Sequence, residues 1–218
     1  HVVLTYWHAL ARLGDSDCDG YRTACSDMVA RFGETNDAEA AHWVAWTCSL
    51  RADAVSDWSK LIALAEKDRE SNPNEISFVR TLGQVLYRAR RFEEAIQRLN
   101  EADQLMQGPD SSARTSPAYA WYFLAMAHHK TGNNDEAAKW LEKATLWTQK
   151  VLAEHEGGSG NQLTWNRRLT LQLLSAEAEQ LIAGSDARAE QQARPARQQE
   201  TNQTAAPAAQ TKQDINEP

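Results

Sequence analysis

The chain is 218 residues long and carries 30 Asp and Glu against 23 Lys and Arg, a formal net charge of −7. Hydrophobic residues make up 42% and charged residues 24%, enough apolar material for one well-buried domain or two small ones. No apolar run approaches the roughly 20 residues that cross a bilayer, so membrane insertion by this segment is not expected. The acidic balance argues against general nucleic-acid binding, which needs a basic footprint.

Taken in chain order, apolar residues recur at helical spacing from the start. Trp7, Leu10, Ala11 and Leu13 make one face, and Tyr21, Ala24, Cys25, Met28 and Val29 the next. Asp19-Gly20 is expected to open this second helix and Gly33 to close it. A third face follows in Ala41, Val44, Ala45 and Cys48, then a fourth in Trp58, Leu61, Ile62 and Ala65, with Asp57 as its expected cap. Pro73 ends that helix, because proline has no N–H to donate and disfavours helix in the residue before it. Strand-like alternation is absent throughout.

The next two stretches repeat each other. A helix from Ile76 leads to Arg90–Ala102, and a helix from Pro117 leads to Gly132–Ala144. Leu82-Gly83 aligns with Leu124-Ala125, and Ala95, Leu99 and Ala102 align with Ala137, Leu141 and Ala144. Repetition of two-helix units at roughly 34–42 residues marks a helical solenoid. Small residues at Gly83, Ala95, Ala125 and Ala137 let paired helices approach, and bulky neighbours fill the gaps. Stretches 51–56 and 108–116 hold extra residues and read as loops. After the Gly157–Gly160 break, Trp165, Leu169, Leu173, Leu174 and Leu181 define a last amphipathic helix, with Arg167, Arg168, Glu177 and Glu179 mostly outward. It is expected to cap the open end of the stack. From Gly184 onward the chain has one Ile and no aromatic residue; such a tail cannot bury enough apolar surface to offset its entropy and is expected to be disordered.

These residues resemble tetratricopeptide repeats (TPR), most closely in Val79, Leu82, Gly83, Leu86, Phe92, Ala95, Leu99 and Ala102, and in Trp121, Leu124, Ala125, Gly132, Ala137, Leu141 and Ala144. A weaker unit holds Ala41, Val44, Ala45, Leu61, Ala65 and Pro73, and a degenerate one Tyr21, Ala24 and Met28. The resemblance implies an all-α, right-handed superhelical solenoid of antiparallel helix pairs over 1–182 (pairs about 2–33, 38–71, 75–107 and 116–155, capping helix 162–182), with a disordered tail over 183–218. The order of segments, from WHALARLGDSDCDGYRTACSDMVARFG to WYFLAMAHHKTGNNDEAAKWLEKA, is similar to the C-terminal TPR region of large multidomain bacterial Ser/Thr protein kinases and of some WD-repeat proteins. That similarity implies a regulatory segment whose catalytic domain lies outside this chain. The first residue, His1, and the lack of a signal segment agree with a piece of something longer. No kinase motif is present: no Gly-rich phosphate loop, no His-Arg-Asp, no Asp-Phe-Gly.

Candidate chemistry is sparse. Cys18, Cys25 and Cys48 form no CxxC pair and have no His at ligand spacing, so buried free thiols in a reducing, cytoplasmic setting are expected rather than zinc or disulfides. Adjacent His128 and His129 point in different directions on a helix, whereas metal pairs favour i,i+4. Glu93-Glu94 and Asp135-Glu136 sit where a helix N-terminus welcomes negative charge. Arg88, Arg90, Arg91 and Arg98 form a basic cluster that reads as a solvated turn. The chain is therefore expected to be no enzyme and to need no metal or cofactor. The eight tryptophans, at 7, 43, 46, 58, 121, 140, 147 and 165, are spread like packing units. If the resemblance holds, the first helix of each pair lines a concave groove, and His42, Trp46, Arg80, Gln84, Tyr87, Tyr122, Met126 and His129 point into it. Aromatic, Met and Arg side chains are the types enriched at binding hot spots. The expected partner is a protein or peptide, or the rest of the same polypeptide.

Overall fold

The structure, a computed structural model, describes residues 1–108, 116–158 and 163–204, and of residues 185–204 the backbone alone. Among the described residues there are nine helices and no strand: α1 (Val2–Gly14), α2 (Cys18–Phe32), α3 (Ala38–Ser49), α4 (Ser59–Ser71), α5 (Ile76–Arg88), α6 (Phe92–Met106), α7 (Ala118–Lys130), α8 (Asn134–Glu156) and α9 (Trp165–Thr204). The first eight form four pairs. Each helix packs on its partner in the pair, and the first helices α1, α3, α5 and α7 also pack on one another in sequence. The result is a helical solenoid with first helices in one layer and second helices in the other.

Local chemistry sets the helix ends. Asp37 accepts from the Glu39 and Ala40 amides and so satisfies two orphan donors of α3. α2 starts earlier than Asp19-Gly20 suggested: Asp17 is the cap and accepts from Gly20 N at 2.9 Å. Asp57 lies one residue before the helix boundary and accepts from Ser59 N at 2.9 Å. Three of the four pairs turn the same way. Ser16, Arg90 and Gly132 all take positive φ, of 59°, 65° and 80°. The residue after each donates back five positions, Asp17 to Arg12 O, Arg91 to Leu86 O and Asn133 to His128 O, as in the Schellman ending. Only Gly132 takes this conformation without a Cβ clash. The second pair lacks this turn and uses a longer connection across 50–58 instead.

Small residues sit where the pairs touch. Ala95, Ala125 and Ala137 are fully enclosed. A Cβ on Gly83 would lie 2.7 Å from Leu99 Cγ and 3.2 Å from Leu99 N, so α5 and α6 pack closer there than any side chain allows. Between the third and fourth pairs, Asp103 accepts from the Trp121 indole and from Lys143. Lys143 lies 4.2 Å from the Trp121 ring and 4.4 Å from Trp140.

The last helix does not cap the end of the stack. Its first part lies against the layer of first helices. Asn166 Nδ2 donates to Tyr6 Oη of α1 at 3.3 Å, Tyr119 Oη of α7 donates to Arg167 O at 3.4 Å, and Arg88 of α5 forms a two-pronged ion pair with Glu177. A Cβ on Gly14 would stand 3.0 Å from Leu169 Cδ2. Leu171, Leu174 and Ala178 are fully buried. Burial of the Leu stripe there removes its apolar surface from water. Glu177 accordingly faces inward, against expectation.

The helical stack ends at Ile182, and a second unit begins at Ala183. Disorder was expected from there on, but α9 keeps its helical backbone to Thr204. Ala, Gln, Glu and Arg, which dominate this stretch, are strong helix formers even where no apolar face exists to bury. The rest of the expected tail, 205–218, lies outside the described residues, as does most of the expected loop at 108–116.

Candidate functional site

The inner layer is where the sequence placed a groove, and α9 divides it into a covered part and an open part. Gln84, Tyr122 and Met126 are fully buried and Tyr87 nearly so, which corrects the expectation that a ligand meets them directly. Tyr122 points its hydroxyl at Thr148 Oγ1 of α8, 3.0 Å away, and is a packing residue. Tyr87 packs edge-on against Phe123, with centroids 5.4 Å apart. His129 is half-buried near the end of α7.

Arg88 departs furthest from expectation. Its side chain is 1% exposed and leaves the basic turn altogether. Nε donates to Ser49 O at 2.7 Å, Nη2 to Glu177 Oε2 at 2.7 Å, and the guanidinium lies 5.0 Å from the Phe123 ring centroid. One side chain thus holds the end of α3, its own helix α5 and α9. Sequence gave no signal for this, because its carboxylate partner is 89 residues away.

His42, Trp46 and Arg80 remain together at an open cleft of about 420 Å³, whose rim Asn166 and Arg167 complete. Tyr119 is the wall residue that the sequence reading missed; its place one turn before Tyr122 was the available clue. The Arg80 guanidinium sits 4.8 Å from the Trp46 ring and 5.4 Å from Tyr119, against two rings that touch each other with centroids 5.3 Å apart. Both contacts are within cation–π range and orient the charge. Arg80 Nε and Nη1 are buried and have no hydrogen-bond partner in the protein. Burial lowers the Arg80 pKa to about 10, so the group stays charged at neutral pH. Burial, helped by the Arg80 charge, pushes His42 down to about 3. His42 is therefore neutral, with Nδ1 unpartnered and its ring 5.2 Å from Phe78. Glu39 and Glu75 stand at the rim.

A larger hollow, about 770 Å³, opens between α2 and the 51–58 connection. Its charges already satisfy each other: Arg22 is held by Asp53 and Lys60 by Glu34. The smaller cleft is the better candidate because its buried donors still want an acceptor. Cys48 is buried, and contact with Cys25 followed by burial raises its pKa well above the thiol range, which suppresses the nucleophilic thiolate. Among the described residues no group of three or more His, Cys, Asp or Glu is placed to hold a metal ion, and no helix is long and apolar enough to cross a membrane.

Residues 118–150, which are α7 and the first part of α8, match the family model described as Tetratricopeptide repeat. The enclosed Ala125, Ala137 and Ala144 of this TPR unit are the small positions on which the resemblance rested. None of the curated proteins matches the chain. Among solved structures, MamA AMB-1 (P212121) is similar at 20% identity, over 66% of this chain and 72% of that one, with a TM-score of 0.39.

Proposed function

We propose that the protein is a non-catalytic interaction scaffold that binds a peptide segment of a partner at the cleft formed by Trp46, Arg80 and Tyr119. The supporting observation is Arg80: a buried, charged guanidinium, held against two rings, with two donor nitrogens that have no partner in the protein. Such a group favours a carboxylate, and a charge-assisted pair there is about twice as strong as a neutral hydrogen bond. The aromatic walls favour an apolar or aromatic residue next to that carboxylate. A preformed cleft on packed helices limits the ordering cost of binding.

The test is selection of phage-displayed random peptides on the full chain. Enriched sequences should pair Asp or Glu with a neighbouring large apolar residue. Binding of a selected peptide should fall at least about tenfold in Arg80→Gln, with the far-UV circular dichroism unchanged. No enrichment, or binding indifferent to Arg80, overturns the proposal. The kinase-linked reading is supported by segment order alone; a kinase domain in the same reading frame is its test.

A further inference from the structure

We infer that Cys25 and Cys48 form a redox modification site, at which a hydroperoxide oxidises the two thiols to an internal disulfide that staples the first helix pair to the second. This inference uses neither the Arg80 cleft nor the scaffold reading.

Cys25 lies on α2 and Cys48 on α3, both free and both fully enclosed. The Cys48 thiol is hydrogen-bonded to the Cys25 thiol. One turn before Cys25, Tyr21 reaches the same end of α3. Its Oη donates to Thr47 O at 2.6 Å and lies 3.3 Å from Cys48 O, which holds the two helices with their sulfurs in contact. A single buried thiol packs as a small apolar group. Two in contact, brought from different repeats, are also placed to bond. Cys18 is no substitute partner for Cys25. The two stand seven residues apart on one helix, about 10 Å along its axis, beyond the reach of a disulfide.

The hollow between α2 and the 51–58 connection supplies the approach. Arg22, Ser26 and Val29 line it. They stand three before, one after and four after Cys25, so Cys25 is at the border of the buried face of α2. A hydroperoxide is small enough to enter there when α2 lifts locally. Cys25 then loses its proton and its sulfur attacks one peroxide oxygen. The O–O bond breaks, the leaving hydroxide takes up that proton as water, and Cys25 carries a sulfenic acid. The Cys48 sulfur next attacks the Cys25 sulfur. The S–S bond forms, the S–O bond breaks, and the hydroxyl leaves with the Cys48 proton as a second water. Two thiols are oxidised and one peroxide is reduced. Contact with Cys25, and then burial, keeps the Cys48 proton in place, so the reaction is slow and waits for the helix to lift.

The test treats the full, folded chain with millimolar hydrogen peroxide, blocks the remaining thiols with N-ethylmaleimide and maps tryptic peptides without reduction. Cleavage after Arg12, Arg22, Arg31 and Arg51 puts Cys18, Cys25 and Cys48 on three different peptides. Peptides 23–31 and 32–51 should appear joined, at a mass two hydrogens below their sum, and dithiothreitol should separate them. The link closes a loop of about 23 residues and should raise the urea midpoint by at least about 0.5 M. Cys18→Ala should form it at an unchanged rate, within about twofold. A folded chain whose two peptides stay unlinked overturns the inference. So does a Cys18–Cys25 link, which needs the helix unfolded, or a midpoint that stays or falls once the link is made. Loss of the link in Cys18→Ala overturns the pairing as well.

Discussion

Helices α5 and α7 occupy equivalent places in successive repeats and face the same inner space, yet they are built from different chemistry. α7 is all alanine, aromatic and aliphatic from Ala118 to Ala127, and nearly every side chain there is enclosed. α5 has the same small residue at the same place, Gly83 for Ala125, but buries Arg80, Thr81, Gln84 and Arg88. The polar tips on α7 have partners, Trp121 on Asp103, Tyr122 on Thr148 and Tyr119 on Arg167 O. Burying unpaired polar groups opposes folding, so the inner face of α5 is not explained by folding alone. The contrast separates a helix whose buried polar tips are paired from one that buries unpartnered polar atoms at Arg80, Thr81 and Gln84.

The largest effect should come from the core helix. Phe123 is fully buried against Tyr87 and Arg88, and Phe123→Ala should cost about 3–5 kcal/mol by chemical denaturation. A loss well under about 2 kcal/mol would mean that α7 is less central than its packing suggests. On α5 the sign should reverse. Gln84→Met keeps the length and removes the orphaned amide, so stability should rise on the order of 1 kcal/mol; a fall shows that the amide has a partner in solution.

The pH-dependent effects run in opposite directions. His42 has its folded pKa lowered to about 3, from an ordinary 6.5, by burial and the Arg80 charge. The unfolded chain binds the extra proton between those values, so this stabilisation is complete above about 6.5 and is lost as pH falls toward 3. Asp68 has its folded pKa raised to about 7, from 3.8, by burial and then by the nearby Asp37 charge. Here the folded chain holds the proton, so stability is lost as pH rises from about 4 to 7. Urea melts at pH 5 and 7.5 should therefore show His42→Gln helping most at pH 5 and Asp68→Asn helping most at pH 7.5. Equal effects at both values refute these assignments.

Much of the fold was legible because its signals are local. Helical spacing marked the pairs, and Gly83, Ala95, Ala125 and Ala137 marked their contacts. The site was less legible because its signals are distant. Arg88 reads as part of a basic turn until Glu177 is brought to it, and nothing near either residue announces the other. The leucines of α9 gave its apolar stripe but not its address, since any apolar face satisfies a stripe. Asp17 and Asp19 are both able to cap, and only backbone geometry chose between them.

An array of repeats in which each unit touches only its neighbours is free to fray from either end. Here the Asn166–Tyr6 contact brings together residues 160 positions apart, joining α9 to the first helix. While that closure holds, the terminal pairs cannot peel away singly, and the stack must unfold together. Once the helix leaves, the chain reverts to a string of units that loosen one after another.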